Sequence, residues 1–486
     1  MTETPSPGAH GYPRLLSRPL PEAVRAVNVG LPLFADAIRA QHAEAVHVQW
    51  QIPAGGKNEL VAALTRLYGA HAERIEQANR EVLRRLDEGN PRLVRIGTAL
   101  AEIPGMTGRT ILRCGPPLPW PDFCDPLRRS VRAAVMAEGW AASPGDADAM
   151  VQRGEIALEP ANHHQTVIPM ASALGPSAPV LVADNPAGGN LAYSGINQGP
   201  GQTPWFGVDS PEAVERLRLL RDAVGPVLGE AVEASGPVEV LTLVAQGLQM
   251  GDDSHMRTQA TTNLLIRHLL PHLAAARHPQ LVDVARFLSA DHLFFLNIAM
   301  AAAKTLTDWA AGVPGSSIIT GMARNGTMFG IRLAVTGDRW FTAPAPPVSD
   351  ALYHPGFRAG DGAPDIGDSA VLELAGLGGA AAAASPAVAA FLGGGMARAV
   401  AATEKMDRIC AGRSSRFKLP FLDLRGTPLG IDVRKVVETG VTPSINTGIL
   451  HRSAGAGQVG AGVAHAPLAC FEQALIELDR CLASGT

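Results

Sequence analysis

Residues 251–257 read Gly-Asp-Asp-Ser-His-Met-Arg and bring two carboxylates, a hydroxyl, an imidazole and a guanidinium into one short segment. Aspartate and serine are favoured at helix N-termini, so we expect a helix that begins near Asp253 and carries His255 and Arg257 in its first turn. Free backbone N–H groups at that end favour an anion and disfavour an imidazolium, which leaves a neutral His255 able to donate to a carbonyl. The simpler interpretation is that Asp252 and Asp253 only cap the helix while the basic side chains face water.

A second candidate lies around Asn325 and Gly326. These two residues divide a β-forming run, 316–335, and Asn-Gly is a preferred two-residue hairpin turn because both positions accept positive φ. Such a hairpin would hold Arg324 on a rigid base, where a guanidinium binds carboxylate or phosphate through two parallel hydrogen bonds. Arg339 follows shortly after. The alternative is a surface turn with an incidental arginine.

Glycine-rich loops form the third candidate. Residues 376–379 precede an alanine-rich segment, and residues 446–448 are followed by His451 and Arg452. Glycine lets backbone amides approach a phosphate closely. Neither loop ends as a Walker A loop does, and no G-x-G-x-x-G follows a clear strand. Tight packing turns are therefore the alternative interpretation of both loops.

The sequence lacks the patterns typical of metal or nucleophilic chemistry. His163 and His164 are adjacent, so in a strand they would point to opposite faces, and there is no H-E-x-x-H or C-x-x-C. The hydrolase pattern G-x-S-x-G is also absent. We therefore predict no metal and no cofactor. Asp291 and the acidic segment 364–369 orient basic partners or cap helices.

Apolar periodicity indicates how the chain is organised. Residues 26–50 alternate as strand, helix and strand, residues 57–102 have a helical pattern, and residues 178–183 are typical of a buried strand. Between 211 and 311 one helix follows another, with a break near 290–291. Strand signals return after Val313, and the chain closes on a glycine-rich stretch and a helix over 468–482.

These patterns predict a multidomain α+β (mixed α/β) protein, with two α/β domains and a helical middle domain. The predicted parts are a disordered N-terminal tail (1–20), an N-terminal α/β domain (21–207), a helical domain (208–312) and a C-terminal α/β domain (313–486). We expect the functional cleft between the last two domains, lined by 252–257, 324–327 and 446–452.

Composition excludes several classes of protein. A formal net charge of −4 provides no basic field for nucleic acid or anionic lipid. Hydrophobic residues at 46% and charged residues at 18% are typical of a globular chain. The five cysteines are few and odd in number, which argues against a disulfide framework and favours a reducing cytoplasm. Charges or small residues interrupt the apolar stretches 294–311 and 371–395, so we predict no membrane span.

Several segments match a known family both in their residues and in their order along the chain. The most specific are Met-Ala-Arg-Asn-Gly-Thr at 322–327 and Gly-Asp-Arg-Trp-Phe-Thr-Ala-Pro-Ala-Pro at 337–346. The others are 28–34, 50–56, 251–257, 291–297, 365–370, 425–435 and 446–449. From about Asn28 to Leu482 the chain resembles the AllG/YlbE-like family, the G component of oxamate carbamoyltransferase.

The resemblance implies a three-component system with an FdrA-like partner and an H-type partner. That system interconverts oxalurate plus phosphate with oxamate plus carbamoyl phosphate during allantoin breakdown, and a carbamate kinase then uses the carbamoyl phosphate. The Ser-Thr-Arg-Thr phosphate loop of aspartate and ornithine carbamoyltransferases is missing from this sequence. Carbamoyl transfer here would therefore use a different site.

Such a reaction brings two anions together and builds an oxyanion, so it needs several fixed positive groups. On this hypothesis Arg324, Arg339 and Arg452 bind the anions. His255 polarises the carbonyl or protonates the departing nitrogen, and Asp252 orients it. The other predicted substrate-binding residues are Arg257, Asn297, Asn325, Gly326, Thr327, Asp368, Asn446, Thr447 and His451.

Two other functions stay open at this point. The chain would be a non-catalytic ligand-binding or scaffold subunit if the chemistry lies in the FdrA-like partner. The other alternative is hydrolysis of a ureido or amide compound, for which the sequence offers no recognisable nucleophile or metal set. We expect small anionic ligands (carbamoyl phosphate, oxamate, oxalurate or an analogue) and a homo-oligomer.

Overall fold

The structure is a computed structural model that describes residues 25–48, 50, 52–453 and 455–484. The predicted disordered tail, 1–20, lies outside the described residues. Helices alternate with small sheets along the chain, which confirms the predicted α+β (mixed α/β), multidomain class. Contacts divide the chain into two units, Met1–Gly55 and Gly56–Thr486. The boundaries near 207 and 312 stay predictions.

The first unit holds two parallel strands joined by a helix. Proline at the first helical position starts that helix at no cost, because the N–H that proline lacks would have no partner there. The strands pair in parallel over their whole length. The elements are β1 (Arg25–Val29), α1 (Pro32–Ala40) and β2 (Glu44–Val48). The predicted strand–helix–strand order is confirmed.

The second unit holds the remaining helices. The series predicted between 211 and 311 is confirmed, including the break near 290–291. The helices are α2 (Asn58–Tyr68), α3 (Ala72–Glu88), α4 (Ala99–Glu102), α5 (Asp125–Ala137), α6 (Pro144–Gln152), α7 (Pro211–Leu219), α8 (Gly225–Ser235), α9 (Val240–Gln249), α10 (Gln259–Ala275), α11 (Leu281–Ala290), α12 (Phe295–Ala310), α13 (Val371–Leu374), α14 (Pro386–Leu392), α15 (Gly395–Asp407), α16 (Val433–Thr439) and α17 (Leu468–Ala483).

The strands of the second unit form five small sheets among the described residues. They are β3 (Arg92–Thr98), β4 (Thr110–Arg113), β5 (Ala157–Pro160), β6 (Ala173–Leu174), β7 (Pro179–Asn185), β8 (Asn190–Gly195), β9 (Val238–Glu239), β10 (Ile319–Asn325), β11 (Met328–Leu333), β12 (Phe341–Pro344), β13 (Ser349–Tyr353), β14 (Ile366–Gly367), β15 (Cys410–Leu419), β16 (Arg425–Ile431), β17 (Ser444–Leu450) and β18 (Gln458–His465). The strand orders are β8-β7-β3-β9, β5-β4-β6, β12-β11-β10-β14, β13-β18-β17 and β15-β16.

Helix α12 lies in the middle of the second unit's core. Nearly all of its side chains are buried, including the polar Asn297 and Lys304, and it packs against β7, β8, α3 and α13. A helix that is apolar on all sides is typical of such a position. Among the described helices none is by itself long and apolar enough to cross a membrane, and α11 and α12 pass that test only as a pair bent by 78°.

The predicted hairpin is confirmed as β10 and β11, with its turn one residue later than expected. Arg324 pairs with Phe329, so the two-residue loop is Gly326-Thr327. Gly326 has a φ of +78°, as the first central position of a type II′ turn requires. Oδ1 of Asn325 accepts the backbone N–H of Thr327 at 3.1 Å, which keeps Asn325 at the end of its strand.

Two secondary-structure predictions are wrong. The helical pattern over 57–102 breaks after α3, because the residue before Pro91 is disfavoured in the helical conformation and β3 then pairs with β7 and β9. Residues 446–448, predicted as a glycine loop, lie within β17, and part of the glycine-rich stretch that follows lies in β18. Antiparallel pairing with each other and with β13 stabilises these strands despite their low intrinsic β-propensity.

Candidate functional site

His255 lies in the interior beside a buried carboxylate. Its side chain is 4% exposed, and its Nδ1 is 2.8 Å from Oε1 of Glu373. The same oxygen accepts the backbone N–H groups of Gly379 at 3.1 Å and Asn446 at 3.3 Å. An oxygen that receives several N–H groups acts as an acceptor, so Nδ1 of His255 carries the proton. The other ring nitrogen, Nε2, is then the one available for proton transfer.

Gly378 makes the close approach of this pair feasible. Its φ is +56°, and a Cβ atom there would overlap Oε1 of Glu373 and lie 3.0 Å from Nδ1 of His255. The glycine loop 376–379 therefore packs around the His255–Glu373 pair, in agreement with the packing-turn interpretation. Glu373 was not among the predicted residues. Its signal in the sequence is that it is the one charged residue between 371 and 395.

The carboxylate of Asp253 organises the loop that carries His255. It accepts the backbone N–H groups of His255 and Met256 at 3.3 Å and of Arg257 at 2.8 Å, and the side-chain Nδ2 of Asn446 at 2.7 Å. Because these bonds satisfy the loop amides locally, the segment does not become helical. Helix α10 begins at Gln259, so the prediction that His255 and Arg257 lie in its first turn is wrong.

Asp252 contacts the following helix and not His255. Its carboxylate accepts the N–H of Ala260 at 3.1 Å and both the N–H and the hydroxyl of Thr261, at 2.8 and 2.6 Å. Burial raises the pKa of Asp252. Asp252 therefore caps α10. The prediction that Asp252 orients His255 is wrong, because the carboxylate beside His255 belongs to Glu373. Arg257 is 42% exposed and lies 3.5 Å from the Asp252 carboxylate.

Arg324 is fully buried, although its position beside a turn suggested a solvent-accessible side chain. Its Nε and Nη2 donate to the two carboxylate oxygens of Asp365, at 2.7 and 2.9 Å. Its Nη1 donates to the carbonyl of Gly367 and the hydroxyl of Ser369, and Nη2 also donates to the hydroxyl of Thr447. All five guanidinium hydrogens therefore have protein partners, and none is left over to clamp an anion.

Strand β17 joins these two groups of residues. Asn446 contacts Glu373 through its backbone and Asp253 through its side chain. The neighbouring Thr447 donates its hydroxyl to Asp365 at 3.0 Å. Hydrogen bonds thus connect His255 to Arg324. The segments 252–257, 324–327 and 446–452, which we expected to line one cleft, meet at these residues. We call this set the buried polar cluster, namely Asp253, His255, Arg324, Asp365, Glu373, Asn446 and Thr447.

A small cavity of about 40 Å³ borders the buried polar cluster. Its polar lining comes from His255, Ser369, Thr447 and Gln458. The apolar lining comes from Pro169, Met170, Trp205, Phe206, Met256, Leu293 and Leu296. This volume holds roughly two or three water-sized groups. Nearby, Oε2 of Glu373 is buried without a hydrogen-bond partner among the described residues.

Asp368 and Asn297 hold neighbouring segments together. The carboxylate of Asp368 accepts the N–H groups of Gly115 at 2.8 Å and Ile168 at 3.0 Å, and burial raises its pKa to about 6. Asn297 donates to the carbonyl of Gly195 at 2.6 Å and accepts from Asn197. Both side chains are buried with protein partners. A direct substrate contact by either stays a prediction.

The turn residues Asn325 and Thr327 make contacts with the segment after β4. Nδ2 of Asn325 donates to the carbonyl of Pro116 at 3.0 Å, and the Thr327 hydroxyl donates to that of Asp122 at 2.8 Å. A Cβ atom on Gly326 would come 2.5 Å from Sγ of Cys124, so the turn has no room for a side chain at that position. These contacts position the hairpin that carries Arg324.

Arg339, Arg452 and His451 form their side-chain hydrogen bonds and ion pairs with residues outside the buried polar cluster. Arg339 is 56% exposed and pairs with Glu477 on α17. Arg452 is exposed and donates to the carbonyl of Gly360. His451 bonds to the carbonyl of Ser453 in its own turn. The three arginines predicted to bind the anions, Arg324, Arg339 and Arg452, are thus far from forming one site. Tertiary packing separates the segments that carry them.

Asp291 lies shortly before α12, which contributes Leu296 to the cavity. Its ionisation predicts how the stability of the fold depends on pH. Burial raises its pKa to about 7, against the hydrogen bond from the N–H of Leu293 and the charge of Arg216. Since the folded pKa lies above the unfolded value of about 3.9, protonation stabilises the fold. That stabilisation is complete below the unfolded pKa and is lost as the pH rises through about 7.

We therefore expect Asp291→Asn to raise the melting temperature relative to wild type, by an amount that grows between about pH 4 and 7 and is constant above. The amide keeps the neutral form at every pH. Thermal melts across this range measure the difference. An advantage of equal size at all pH values would show that ionisation of Asp291 does not limit stability.

Comparison with known proteins assigns the family. The chain is 40% identical to Oxamate carbamoyltransferase subunit AllG of Escherichia coli (strain K12) over 416 residues, which are 85% of this chain and 99% of that protein. The chain belongs to the AllG family. The AllG family model, described as Oxamate carbamoyltransferase subunit AllG, matches residues 156–369. That region includes His255, Arg324 and Asp365.

Two further proteins are similar to this chain over most of its length. The chain is 35% identical to the protein YahG of Escherichia coli (strain K12), over 95% of this chain and 98% of that protein. The crystal structure of a conserved protein of unknown function from Enterococcus faecalis V583 matches with a TM-score of 0.82 and 36% identity, over 84% of this chain and 98% of that one. The fold described above is therefore shared with that protein.

Proposed function

We propose that this chain is a subunit of a carbamoyltransferase that interconverts oxalurate plus phosphate with oxamate plus carbamoyl phosphate, or a close analogue. The observation that carries the proposal is that His255, paired with Glu373, lines a small cavity in a chain of the AllG family. The cavity is of the size of a carbamoyl group, which has three non-hydrogen atoms.

The chemistry requires one proton to move while two bonds exchange. A phosphate oxygen attacks the carbamoyl carbon of oxalurate, a C–O bond forms, and the C–N bond to the oxamate nitrogen breaks. The proton carried by phosphate ends on that nitrogen. Nε2 of His255 is suited to accept and return this proton, because Nδ1 is held by Glu373 and the carboxylate stabilises the transient imidazolium.

Neutral hydrogen-bond donors and acceptors around the cavity match the carbonyl oxygen and the amide nitrogen of a carbamoyl group. The hydroxyls of Ser369 and Thr447 and the amide of Gln458 line it. Arg324 contributes positive charge, but its hydrogen-bond donors are all in use. We therefore assign the phosphate-binding groups to the assembled complex, with an FdrA-like and an H-type subunit as the partners that the family resemblance implies.

Reconstitution tests this proposal. The purified chain, mixed with its FdrA-like and H-type partners, is expected to form carbamoyl phosphate and oxamate from oxalurate only when phosphate is present. Each product is measured directly, and omission of each subunit in turn is the control. Product formation that does not need this chain would assign the chemistry to the partners. Absence of carbamoyl phosphate with all three subunits present would reject the substrate assignment.

A further inference from the structure

A cleft of about 620 Å³ opens on another part of the second unit and shares no residue with the buried polar cluster. We call it the Arg332 cleft, after one of its lining residues. Its polar lining includes Asn162, His163, Asp308, Arg332 and Asp338. Three side-chain atoms of these residues are buried and have no hydrogen-bond partner within the described structure: Asn162 Nδ2, Asp308 Oδ2 and Arg332 Nε. Unpaired buried polar atoms are costly, and three of them belong to the lining of this one cleft.

The guanidinium of Arg332 is held in place by its surroundings. It packs against Gly321, its pairing partner on β10, where a Cβ atom would come 2.7 Å from Nε. The ring of Trp340 lies 4.8 Å from it on another side. Its hydrogen bond within the described residues goes from Nη1 to Asp338 at 2.6 Å. A fixed guanidinium with unused donors loses little entropy on binding an anion.

His163 adds a neutral donor to the same cleft. The indole N–H of Trp340 donates to Nε2 of His163 at 3.0 Å. Because an indole nitrogen can only donate, Nε2 is unprotonated and the proton lies on Nδ1. Burial and the nearby charge of Arg332 lower the pKa of His163, in agreement with a neutral ring. No described residue is hydrogen-bonded to Nδ1.

Asp308 provides the complementary acceptor. Its Oδ1 accepts from Nζ of the buried Lys304 at 2.6 Å, which fixes the carboxylate. Its Oδ2 is the buried atom without a partner. The cleft thus combines unused donors on Arg332, His163 and Asn162 with one unused carboxylate oxygen. A simple anion such as sulfate would satisfy the donors but not this acceptor.

We infer that the Arg332 cleft is a binding site for a small acid that carries both an anionic head and an amide N–H. The anionic head pairs with Arg332, Nδ1–H of His163 and the amide of Asn162, and the amide N–H donates to Oδ2 of Asp308. The exposed carboxylate of Asp338, whose side chain is 82% exposed, competes for Arg332 and is displaced when the acid binds. This site is separate from the proposed transferase chemistry.

Oxamate and pyruvate form a matched pair of probes, because pyruvate has a methyl group where oxamate has its amide nitrogen. By calorimetry on the full chain, we expect oxamate to bind more tightly than pyruvate. Arg332→Gln should weaken both by at least about tenfold, as expected when a buried charge partner is removed. Asp308→Asn should erase the preference for oxamate, because Lys304 takes the amide oxygen and the amide nitrogen then faces the ligand.

Two controls keep the outcome decisive. Asp338→Ala, on the exposed loop, should tighten oxamate binding severalfold, which a folding defect would not do. His268→Gln, at an exposed position on α10 outside both sites, should leave the affinity unchanged. Binding lost in His255→Gln but retained in Arg332→Gln would place the acid at the cluster and overturn the inference. Equal affinities of all variants, or no oxamate binding at millimolar concentration, would overturn it as well.

Discussion

Replacing Arg324 by alanine is expected to lower the free energy of unfolding by about 3–5 kcal/mol, because it leaves the buried carboxylate of Asp365 without its partner. The hydroxyl of Thr447, the carbonyl of Gly367 and the hydroxyl of Ser369 lose a donor in the same step. From its place beside a turn, one would expect little change in stability. Its burial reverses that expectation. Denaturant unfolding of the purified variant measures the loss.

A matched pair of variants separates this ion pair from its surroundings. Arg324→Met combined with Asp365→Leu removes both charges together and should recover much of the lost stability, since a buried pair replaced by apolar side chains is often close to neutral. Arg324→Lys should recover little, because an ammonium cannot reproduce the two parallel hydrogen bonds. An Arg324→Ala variant as stable as wild type would mean that the pair does not support the fold.

His255→Gln is expected to lower kcat/KM of the reconstituted transferase by about 10²–10⁴-fold, the range typical of a lost general acid–base group. Glutamine can still donate to Glu373, so the free energy of unfolding should stay within about 1 kcal/mol of wild type. The exposed His268 on α10 provides the control, and His268→Gln should leave kcat/KM unchanged. Steady-state rates with oxalurate and phosphate check both variants.

The Glu373→Gln variant shows whether the pair acts as a unit. If Glu373 works through His255, the double variant should be no slower than His255→Gln alone, because residues that act together have non-additive effects. Additive losses would give Glu373 an independent role. An active His255→Gln variant would make His255 a structural residue and move the chemistry elsewhere in the complex.

Much of the local structure is predictable from sequence, because its causes are local. Apolar spacing and Asn-Gly were sufficient for α12, α17 and the β10–β11 hairpin. The two strands β17 and β18 were not predictable, since pairing between distant segments stabilises them and their glycines disfavour strands on their own. The end of α3 before Pro91 also has a local cause, because proline disfavours the helical conformation in the residue before it, and the sequence therefore contains this signal.

The residues of the candidate site also fall into a group that the sequence reveals and a group that it does not. The loop with His255 and the neighbouring residues Asn446 and Thr447 stand out by their chemistry in the sequence. Their partners Glu373 and Asp365 lie 118 and 41 positions from the residues they contact, His255 and Arg324. Composition does not reveal contacts of this kind. A carboxylate within an apolar segment is the nearest available signal, and it points to Glu373.

Strand β10 carries residues of both sites, with Thr320 at the Arg332 cleft and Arg324 in the buried polar cluster. The two residues are four positions apart, which corresponds to about 13 Å along the strand. A slip of one residue would turn every side chain to the other face, so neighbouring strands lock the register. The paired register therefore holds the two sites at a fixed spacing along β10. Any effect of a ligand at one site on the affinity of the other is, by thermodynamic linkage, equal in both directions.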